Sequence, residues 1–243
     1  MRYAIIGDIH GNSWALRAVL DDLRDQNIDK IFDLGDSLYG PLDPAGTYQL
    51  IAEHQIDSIC GNQDRLIFEN DSLENNRTFT FVRNQLDQTA IDWLWELPSN
   101  RRIDHDLFLC HGTPEKDDEY FLEELGAYEV TLKSPRVLTQ YLSNIRSRVV
   151  CCGHSHRQGN ARVGNTLIFN PGSVGLQAYS DDDPVPHRIE NINPHARYGI
   201  VSIDDDDIHI RYLSVAYDFE NAAHQAEKIG RNDWAQWLRF GNV

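Results

Sequence analysis

Five short apolar runs in this chain each end in a residue type that binds metal ions well. The final residues are two aspartates, an asparagine and two histidines: Asp8, Asp36, Asn62, His111 and His154. Carboxylate and carboxamide oxygens and imidazole nitrogens are suitable ligands for manganese, iron or zinc. The sequence therefore contains the donors of a metal site, provided that the fold brings them together.

Two further histidines follow two of these run ends at a spacing of two residues. His10 follows Asp8, and His156 follows His154. In extended backbone, residues two apart point their side chains to the same side, so we expect each pair to address one metal centre. One such pair is weak evidence for a site, but five run ends of this kind in one chain are far more specific.

The predicted secondary structure gives a reason for these residues to meet. In the first sixty residues, predicted strands at 3–7, 30–35 and 56–61 alternate with two predicted helices. Asn12 or Ser13 can cap the first helix. Asp43 can cap the second, which runs from Pro44 to about Glu53. This order predicts a parallel sheet with crossover helices. Ligands of such sheets bind at the carboxyl ends of the strands, which is where these side chains lie.

Further along the chain, hairpins replace the alternation of strands and helices. A helix is predicted near 85–96, and a helical tail from about 217 to 240 is broken near Gly230. Three hairpins are predicted, at 101–110, 161–169 and 198–215. We expect all 243 residues to form one domain.

Charge and composition argue against several other partners. The net charge is −16, from 38 acidic and 22 basic side chains, and no run of Lys and Arg offers the surface that nucleic acid needs. Aspartate clusters at 181–183 and 204–207 are typical of solvated turns. Neither a membrane-length apolar stretch nor a signal peptide is recognisable, so we expect a cytoplasmic protein without a membrane partner. Free, buried thiols are expected for Cys60, Cys110, Cys151 and Cys152.

The segments around the run ends resemble the five motifs of the calcineurin-like metallophosphoesterase family. These segments are Asp8-Ile9-His10, Gly35-Asp36, Gly61-Asn62-Gln63-Asp64, His111-Gly112 and Gly153-His154-Ser155-His156. Asn170-Pro171-Gly172-Ser173 and the tail from Tyr217 are similar to a bacterial and archaeal branch with chains of about this length. The resemblance implies an α/β (α+β) fold, a four-layer αββα sandwich of two mixed β-sheets flanked by helices.

The resemblance also implies how two divalent ions would be bound. One ion would be held by Asp8, His10, Asp36 and His156, and the other by Asp36, Asn62, His111 and His154, with Asp36 as the bridge. Manganese is favoured, and iron, zinc, nickel and cobalt are the other candidates. Two such ions about 3.5 to 4 Å apart lower the pKa of a shared water and clamp the attacking and departing oxygens of a phosphoryl group.

The expected reaction is in-line attack of a metal-bridging hydroxide on a phosphodiester or phosphoanhydride bond of a small molecule. Asp36, Asn62 and His111 would hold the hydroxide and the phosphate. The alternatives are a protein serine/threonine phosphatase, a diadenosine tetraphosphatase-like enzyme, and a metal-binding scaffold without activity. A nuclease is disfavoured by the charge.

Gln63 departs from the family pattern, because many members have a histidine there that protonates the leaving group or stabilises the transition state. A glutamine amide can donate a hydrogen bond but has no titratable proton near neutral pH. We therefore expect substrates whose leaving group departs unprotonated, such as a nucleotide diphosphate or a phenolate, and slow hydrolysis of alkyl monoesters. Asp64, which would orient that histidine, is expected to pair with Arg65.

Other polar residues near the motifs have two explanations each. Asn12 and Asn170 would either hydrogen-bond the nucleophile or a ligand, or cap their loops. Arg65 is a candidate for binding substrate phosphate, although a solvated arginine is more common. His187 and His195 are candidate acids near the mouth of the site, although ordinary surface histidines are more common and are expected here. The acidic and aromatic segment 115–128 is expected to shape the entrance.

Overall fold

The helices and strands form two five-stranded mixed sheets with helices on their outer faces. A computed structural model describes residues 1–69, 76–126, 129–205 and 207–243. The strands are β1 (Arg2–Ile6), β2 (Lys30–Asp33), β3 (Asp57–Ser58), β4 (Asn100–Arg102), β5 (Leu107–Cys110), β6 (Glu123–Leu125), β7 (Val130–Leu132), β8 (Val149–Cys151), β9 (Gln158–Val163), β10 (Thr166–Pro171), β11 (Ala178–Asp181), β12 (His187–Glu190), β13 (Ala196–Ile203) and β14 (Ile208–Val215). The helices are α1 (Ser13–Leu23), α2 (Pro44–Glu53), α3 (Asn62–Glu69), α4 (Arg77–Gln85), α5 (Gln88–Glu96), α6 (Pro135–Tyr141), α7 (Phe219–Lys228) and α8 (Asn232–Phe240).

Each sheet has parallel strands at its centre and antiparallel strands at one or both edges. The first has the order β14-β13-β1-β2-β3, and β1, β2 and β3 are parallel. The second has the order β4-β5-β8-β10-β9, and β5, β8 and β10 are parallel. The predicted parallel start and the three hairpins are confirmed. β3 is shorter than predicted because the N–H of Cys60 turns to the carbonyl of Pro98.

The alternation of side chains along the strands produces the four layers. Residues such as Ile5, Phe32 and Phe169 point between the sheets, where they form the central core. On the other face of the first sheet, Ala4 and Ile6 pack against helices that include α1 and α2. On the other face of the second sheet, apolar side chains pack against α6. The predicted αββα sandwich is therefore confirmed.

Side-chain caps fix where several helices begin. Asn12 accepts the N–H of Ala15 and starts α1, and Asp43 caps α2 with Pro44 at its first position. The single helix predicted near 85–96 is wrong at its start, because Gln85 ends α4 and Asp87 caps α5 by accepting the N–H of Ala90.

The carboxyl-terminal tail contains the two predicted helices, which pack on loops that follow β2 and β10. Gly230, with φ of +80°, separates α7 from α8. Alanines of α7 and tryptophans of α8 bury Leu42 and Leu176. The four cysteines are free and buried, as predicted. None of the helices in the described ranges is long and apolar enough to cross a membrane.

We predict that Phe169→Ala lowers the free energy of unfolding by about 3–5 kcal/mol, since it leaves a cavity between the two sheets. Phe169 is fully buried. The matched control is Phe240→Ala, because Phe240 is 57% exposed and its loss should cost less than about 1 kcal/mol. Urea unfolding of both variants measures the difference between their free energies of unfolding. Equal losses of free energy in the two variants would contradict the place of Phe169 in the central core.

Candidate metal centre

The side chains that end the five apolar runs meet at one edge of the sandwich. Asp8 and Asp36 follow β1 and β2 of the first sheet, and His111 and His154 follow β5 and β8 of the second. Two clusters form, in each of which the candidate ligand atoms lie within 4.8 Å of one another: Asp8, His10 and His156, and Asp36, His111 and His154.

The two clusters adjoin each other, and Asn62 belongs to the second. His111 Nε2 lies 3.4 Å from Asp36 Oδ2 and 4.0 Å from Asp8 Oδ1. The same nitrogen lies 3.0 Å from Asn62 Oδ1. All seven side chains predicted to bind metal are therefore gathered in one place. Asn62 and His154 are half-buried at its open side, and the other five are buried.

The backbone at this edge is left-handed, which the sequence interpretation did not anticipate. We expected extended backbone at both spaced pairs, and that expectation is wrong. Positive φ angles of 50°, 53°, 53°, 67° and 55° occur at Asp8, His10, Asp36, His154 and His156. This conformation costs a non-glycine residue roughly 1–2 kcal/mol and is concentrated at functional sites. Hydrogen bonds hold it here, since the N–H groups of Asp8 and His10 donate to the carbonyls of Gly35 and Asp36.

Two glycines let the loops after β2 and β3 touch. A Cβ atom on Gly35 would lie 2.4 Å from the nitrogen of Gly61, and one on Gly61 would lie 2.2 Å from Asp36 Oδ1. Only residues without a side chain allow this approach. As a result, the N–H of Gln63 can donate to Asp36 Oδ1 at 2.8 Å.

Backbone carbonyls orient three of the histidine rings. A carbonyl can only accept, so the Nδ1 atom facing it carries a proton, and Nε2 is left to face the centre. The acceptors are the carbonyls of Tyr39 for His10 at 3.0 Å, Leu34 for His111 at 2.8 Å, and Leu176 for His156 at 2.7 Å.

The contact between His10 and His156 shows that the donor set fits a cation. Their Nε2 atoms lie 3.0 Å apart. Burial lowers the pKa of both rings, which keeps them neutral. Two bare lone pairs at this separation repel each other unless a positive ion lies between them or beside them. The nitrogen and oxygen donors suit divalent transition metals.

In the second cluster, His111 carries a positive charge when no metal is bound. Burial alone would lower the pKa of this ring, but the carboxylates of Asp36 and Asp8 raise it to about 10. Burial would likewise raise the pKa of Asp36, but His111, His10 and His154 hold it below its ordinary value. His111 and Asp36 therefore form an ion pair, and a bound cation can replace the positive charge that the His111 proton supplies.

Asp64 supports the loop that carries Asp36, and its predicted pairing with Arg65 is wrong. Its carboxylate accepts the N–H groups of Ser37 at 2.8 Å and Leu38 at 2.9 Å. Adjacent residues of a helix do not face each other. Arg65 instead binds Asp117 through two nitrogens and Glu69 through a third.

The contacts of Asn12 and Asn170 support the structural explanation for both residues. Besides capping α1, Asn12 donates to the carbonyl of Gly175 at 2.9 Å. Asn170 donates to the carbonyl of Gly153 at 2.8 Å and to Ser155 Oγ at 3.1 Å. It therefore positions the loop that contains His154.

A cavity of about 440 Å³ opens from the ligand clusters. His10, Asp36, Asn62, Gln63 and His154 lie at its base. Besides Tyr120 of the segment 115–128, its walls contain residues that the sequence analysis did not single out, namely Tyr179, Arg231, Trp234 and Trp237.

The segment 115–128 does contribute to the entrance as predicted, through Tyr120 and its acidic neighbours; residues 127 and 128 lie outside the described residues. The Tyr120 ring packs edge-on against His154 at 4.8 Å, and the Tyr179 ring against His156 at 4.7 Å. His187 is buried and contacts the Tyr120 hydroxyl through Nε2 at 2.8 Å, so its expected surface position is wrong. His195 is half-buried.

Comparisons with known proteins show the family. Residues 1–185 match the calcineurin-like phosphoesterase superfamily domain. An uncharacterized protein of Methanocaldococcus jannaschii is 27% identical over 256 residues, covering 97% of this chain and 94% of that protein. A metallophosphoesterase from Sphaerobacter thermophilus has a TM-score of 0.77 at 23% identity, with 99% of this chain and 100% of that one covered. A hypothetical protein from Pyrococcus horikoshii has a TM-score of 0.75 at 16% identity, and the match covers 99% of this chain and 98% of that one. Both structures share this fold.

We predict that Asp64→Asn lowers the free energy of unfolding by about 1–3 kcal/mol, because the amide cannot accept both N–H groups as the carboxylate does. Arg65→Ala removes only partly exposed ion pairs and should cost less than about 1 kcal/mol. Urea unfolding in the presence of a chelator measures both without a contribution from metal binding. If Arg65→Ala lowered the free energy of unfolding as much as Asp64→Asn, the supporting role of Asp64 in the loop would be contradicted.

Proposed function

We propose that this chain, which belongs to the calcineurin-like phosphoesterase superfamily, hydrolyses phosphodiester or phosphoanhydride bonds of small molecules with two divalent metal ions. The observation that carries the proposal is the pair of adjoining clusters at the base of one cavity. A hydrolase needs such a centre to be accessible to substrate. Residues of both clusters line the cavity, and the second is the more exposed because Asn62 and His154 are half-buried.

The ligand assignment follows the two clusters. We propose that one ion is held by Asp8, His10, Asp36 and His156, and the other by Asp36, Asn62, His111 and His154. Manganese is the favoured metal, although the donor types suit iron or zinc as well. Bound divalent ions supply Lewis-acid catalysis and lower the pKa of water.

The protein's own residues hold the donors in place and exclude water. The carbonyls behind His10, His111 and His156 fix which ring nitrogen faces the centre. The rings of Tyr120 and Tyr179 cover His154 and His156 on the cavity side. Asn62, His111 and Asp36 are the residues that we propose contact the nucleophile and the phosphate.

Gln63 is the residue that we propose faces the leaving group. It lines the cavity, and its Oε1 atom has no hydrogen-bond partner within the described part of the chain. Its amide can donate a hydrogen bond to a leaving oxygen but cannot release a proton to it. The proposed substrates are therefore esters and anhydrides whose leaving group departs as a stable anion.

We propose further that residues 1–243 act as one domain in the cytoplasm. α8 lies beyond the matched family domain, yet Trp234 lines the same cavity as His10, and their ring centroids are 5.8 Å apart. The tail therefore contributes to the site that begins at β1.

We predict that the protein binds two divalent ions per chain and that His10→Asn lowers both metal content and activity. Loss of a residue that only orients a ligand lowers metal affinity or activity by about 10–100-fold, so loss of a ligand should lower kcat/KM by more than about 100-fold. Elemental analysis after dialysis and hydrolysis of an aryl phosphodiester measure the two effects.

The matched control for this prediction is His105→Asn. His105 belongs to an exposed group of possible ligands with Asp104 and Asp106, and its side chain is 88% exposed. This variant should keep its metal and activity. Urea unfolding of the metal-free variants checks that His10→Asn still folds. A folded His10→Asn variant with unchanged metal content would contradict the assignment, and a metal-loaded wild type that cleaves no phosphate ester would favour the scaffold.

We predict that the wild-type protein hydrolyses an aryl phosphodiester at least about 100-fold faster than an alkyl monoester, since general acid catalysis contributes 10²–10⁴-fold and Gln63 lacks it. Gln63→His should raise kcat/KM for the alkyl monoester by about 100-fold, and Gln63→Asn should not. Initial rates on both esters measure this. Fastest turnover of the alkyl monoester by the wild type would reject the assigned role of Gln63.

A further inference from the structure

Among the charged side chains that line the cavity outside the ligand clusters, acidic groups outnumber basic ones. Six carboxylates lie there: Asp118, Glu119, Glu123, Glu124, Asp181 and Asp183. Within the described ranges, the lining includes two fixed cations, Lys133 and Arg231. Asp181 and Asp183, which the sequence analysis interpreted as part of a solvated turn, are indeed exposed, but the turn forms part of the cavity wall.

Both cations already form hydrogen bonds or ion pairs within the protein. Lys133 Nζ donates to the carbonyl of Tyr120, lies 3.9 Å from Glu119 and is only 10% exposed. Arg231 binds the carboxylate of Asp233 at 2.7 and 2.9 Å and the hydroxyl of Thr78. A second phosphate group of a substrate would therefore meet no free positive charge among these residues.

The remaining lining offers contacts for an uncharged group. Trp234 and Trp237 of α8 and Leu176 form an apolar wall beside His10. Glu123, which also lines the cavity, is 4% exposed, and its Oε2 atom has no hydrogen-bond partner within the described residues. This free carboxyl oxygen can accept a hydrogen bond from a neutral or cationic group of a substrate.

We propose that the acidic walls select substrates with a single phosphate group, whose organic part is uncharged or cationic, and disfavour substrates with further phosphates. This inference rests on the proposed function and narrows it from diesters or anhydrides to phosphodiesters. The metal centre attracts one phosphoryl group at short range. Every further negative charge lies among the carboxylates, where each like-charge pair about 10 Å apart weakens binding roughly threefold at an effective dielectric constant of about 50.

The test neutralises the carboxylates at the mouth without changing side-chain shape. Asp181→Asn combined with Asp183→Asn keeps the side-chain oxygen of residue 181 that accepts the N–H of residue 183. The control is Asp204→Asn combined with Asp205→Asn, which changes the net charge equally. These exposed residues follow Ile203, whose carbonyl binds the amino terminus, so they lie at the opposite end of β1 from Asp8.

The first readout is the ratio of kcat/KM for a dinucleoside tetraphosphate to that for bis(4-nitrophenyl) phosphate. In the wild type this ratio should be well below one. The variant at residues 181 and 183 should raise it by about tenfold, and the control should leave it within twofold. Higher salt should also raise the wild-type ratio, because screening weakens the repulsion. A wild-type ratio near one, or equal effects of the two variants, would overturn the inference.

The second readout does not depend on turnover. Calorimetry of the manganese-loaded protein compares the affinities for inorganic phosphate and tripolyphosphate. The variant at residues 181 and 183 should strengthen tripolyphosphate binding about tenfold more than phosphate binding, and the control should change neither. This result in a protein that hydrolyses nothing would support charge selection while rejecting the proposed hydrolysis. Active hydrolysis with no change in relative affinity would reject charge selection alone.

Discussion

The structure depends on gathering seven side chains of metal-ligand types in one partly buried place, where some of their donor atoms repel one another when no cation is bound. His10 and His156 direct lone pairs at each other across 3.0 Å, and two carboxylates lie beside them without exposure to water. Burying polar groups without satisfying them is costly. A fold that maintains this arrangement is best explained by a positive ion that reverses the repulsion, as in metal sites that couple binding to folding.

The surrounding structure can be understood as the means of holding this arrangement. Parallel strands of two different sheets end at the same edge, and each cluster takes residues from both sheets. Left-handed backbone at five of the candidate ligands turns their side chains inward, and the contact of Gly35 with Gly61 allows the loops to meet. Carbonyls behind the histidines then fix the ring nitrogens. The tail closes one side of the cavity, which explains why its tryptophans are buried rather than exposed.

Much of this arrangement was predictable because the signals are local. Apolar runs that end in Asp8, Asp36 and His111 indicated strand ends, and strand ends in α/β sheets converge. Caps such as Asp43 and hairpins such as that of β9 and β10 also depend on nearby residues. The convergence was predicted correctly, but for a partly wrong reason, since the spaced pairs are left-handed rather than extended.

The roles that sequence reasoning missed or assigned wrongly are those that depend on long-range contacts. Asp64 binds the N–H groups of Ser37 and Leu38, which are 27 and 26 positions away. His187 is buried by Tyr120, and Trp234 reaches the site from a tail with no motif of its own. No periodicity or spacing encodes such contacts, because they exist only after the sheets and helices have packed.

The central claim is that the clusters bind a pair of adjacent cations, and anomalous scattering tests it most directly. Crystals grown with manganese should show two anomalous peaks about 3.5–4 Å apart, one beside His10 and His156 and one beside His111 and Asn62, with Asp36 between them. Peaks only at the exposed group of Asp104, His105 and Asp106, or none at the base of the cavity at saturating manganese, would contradict it.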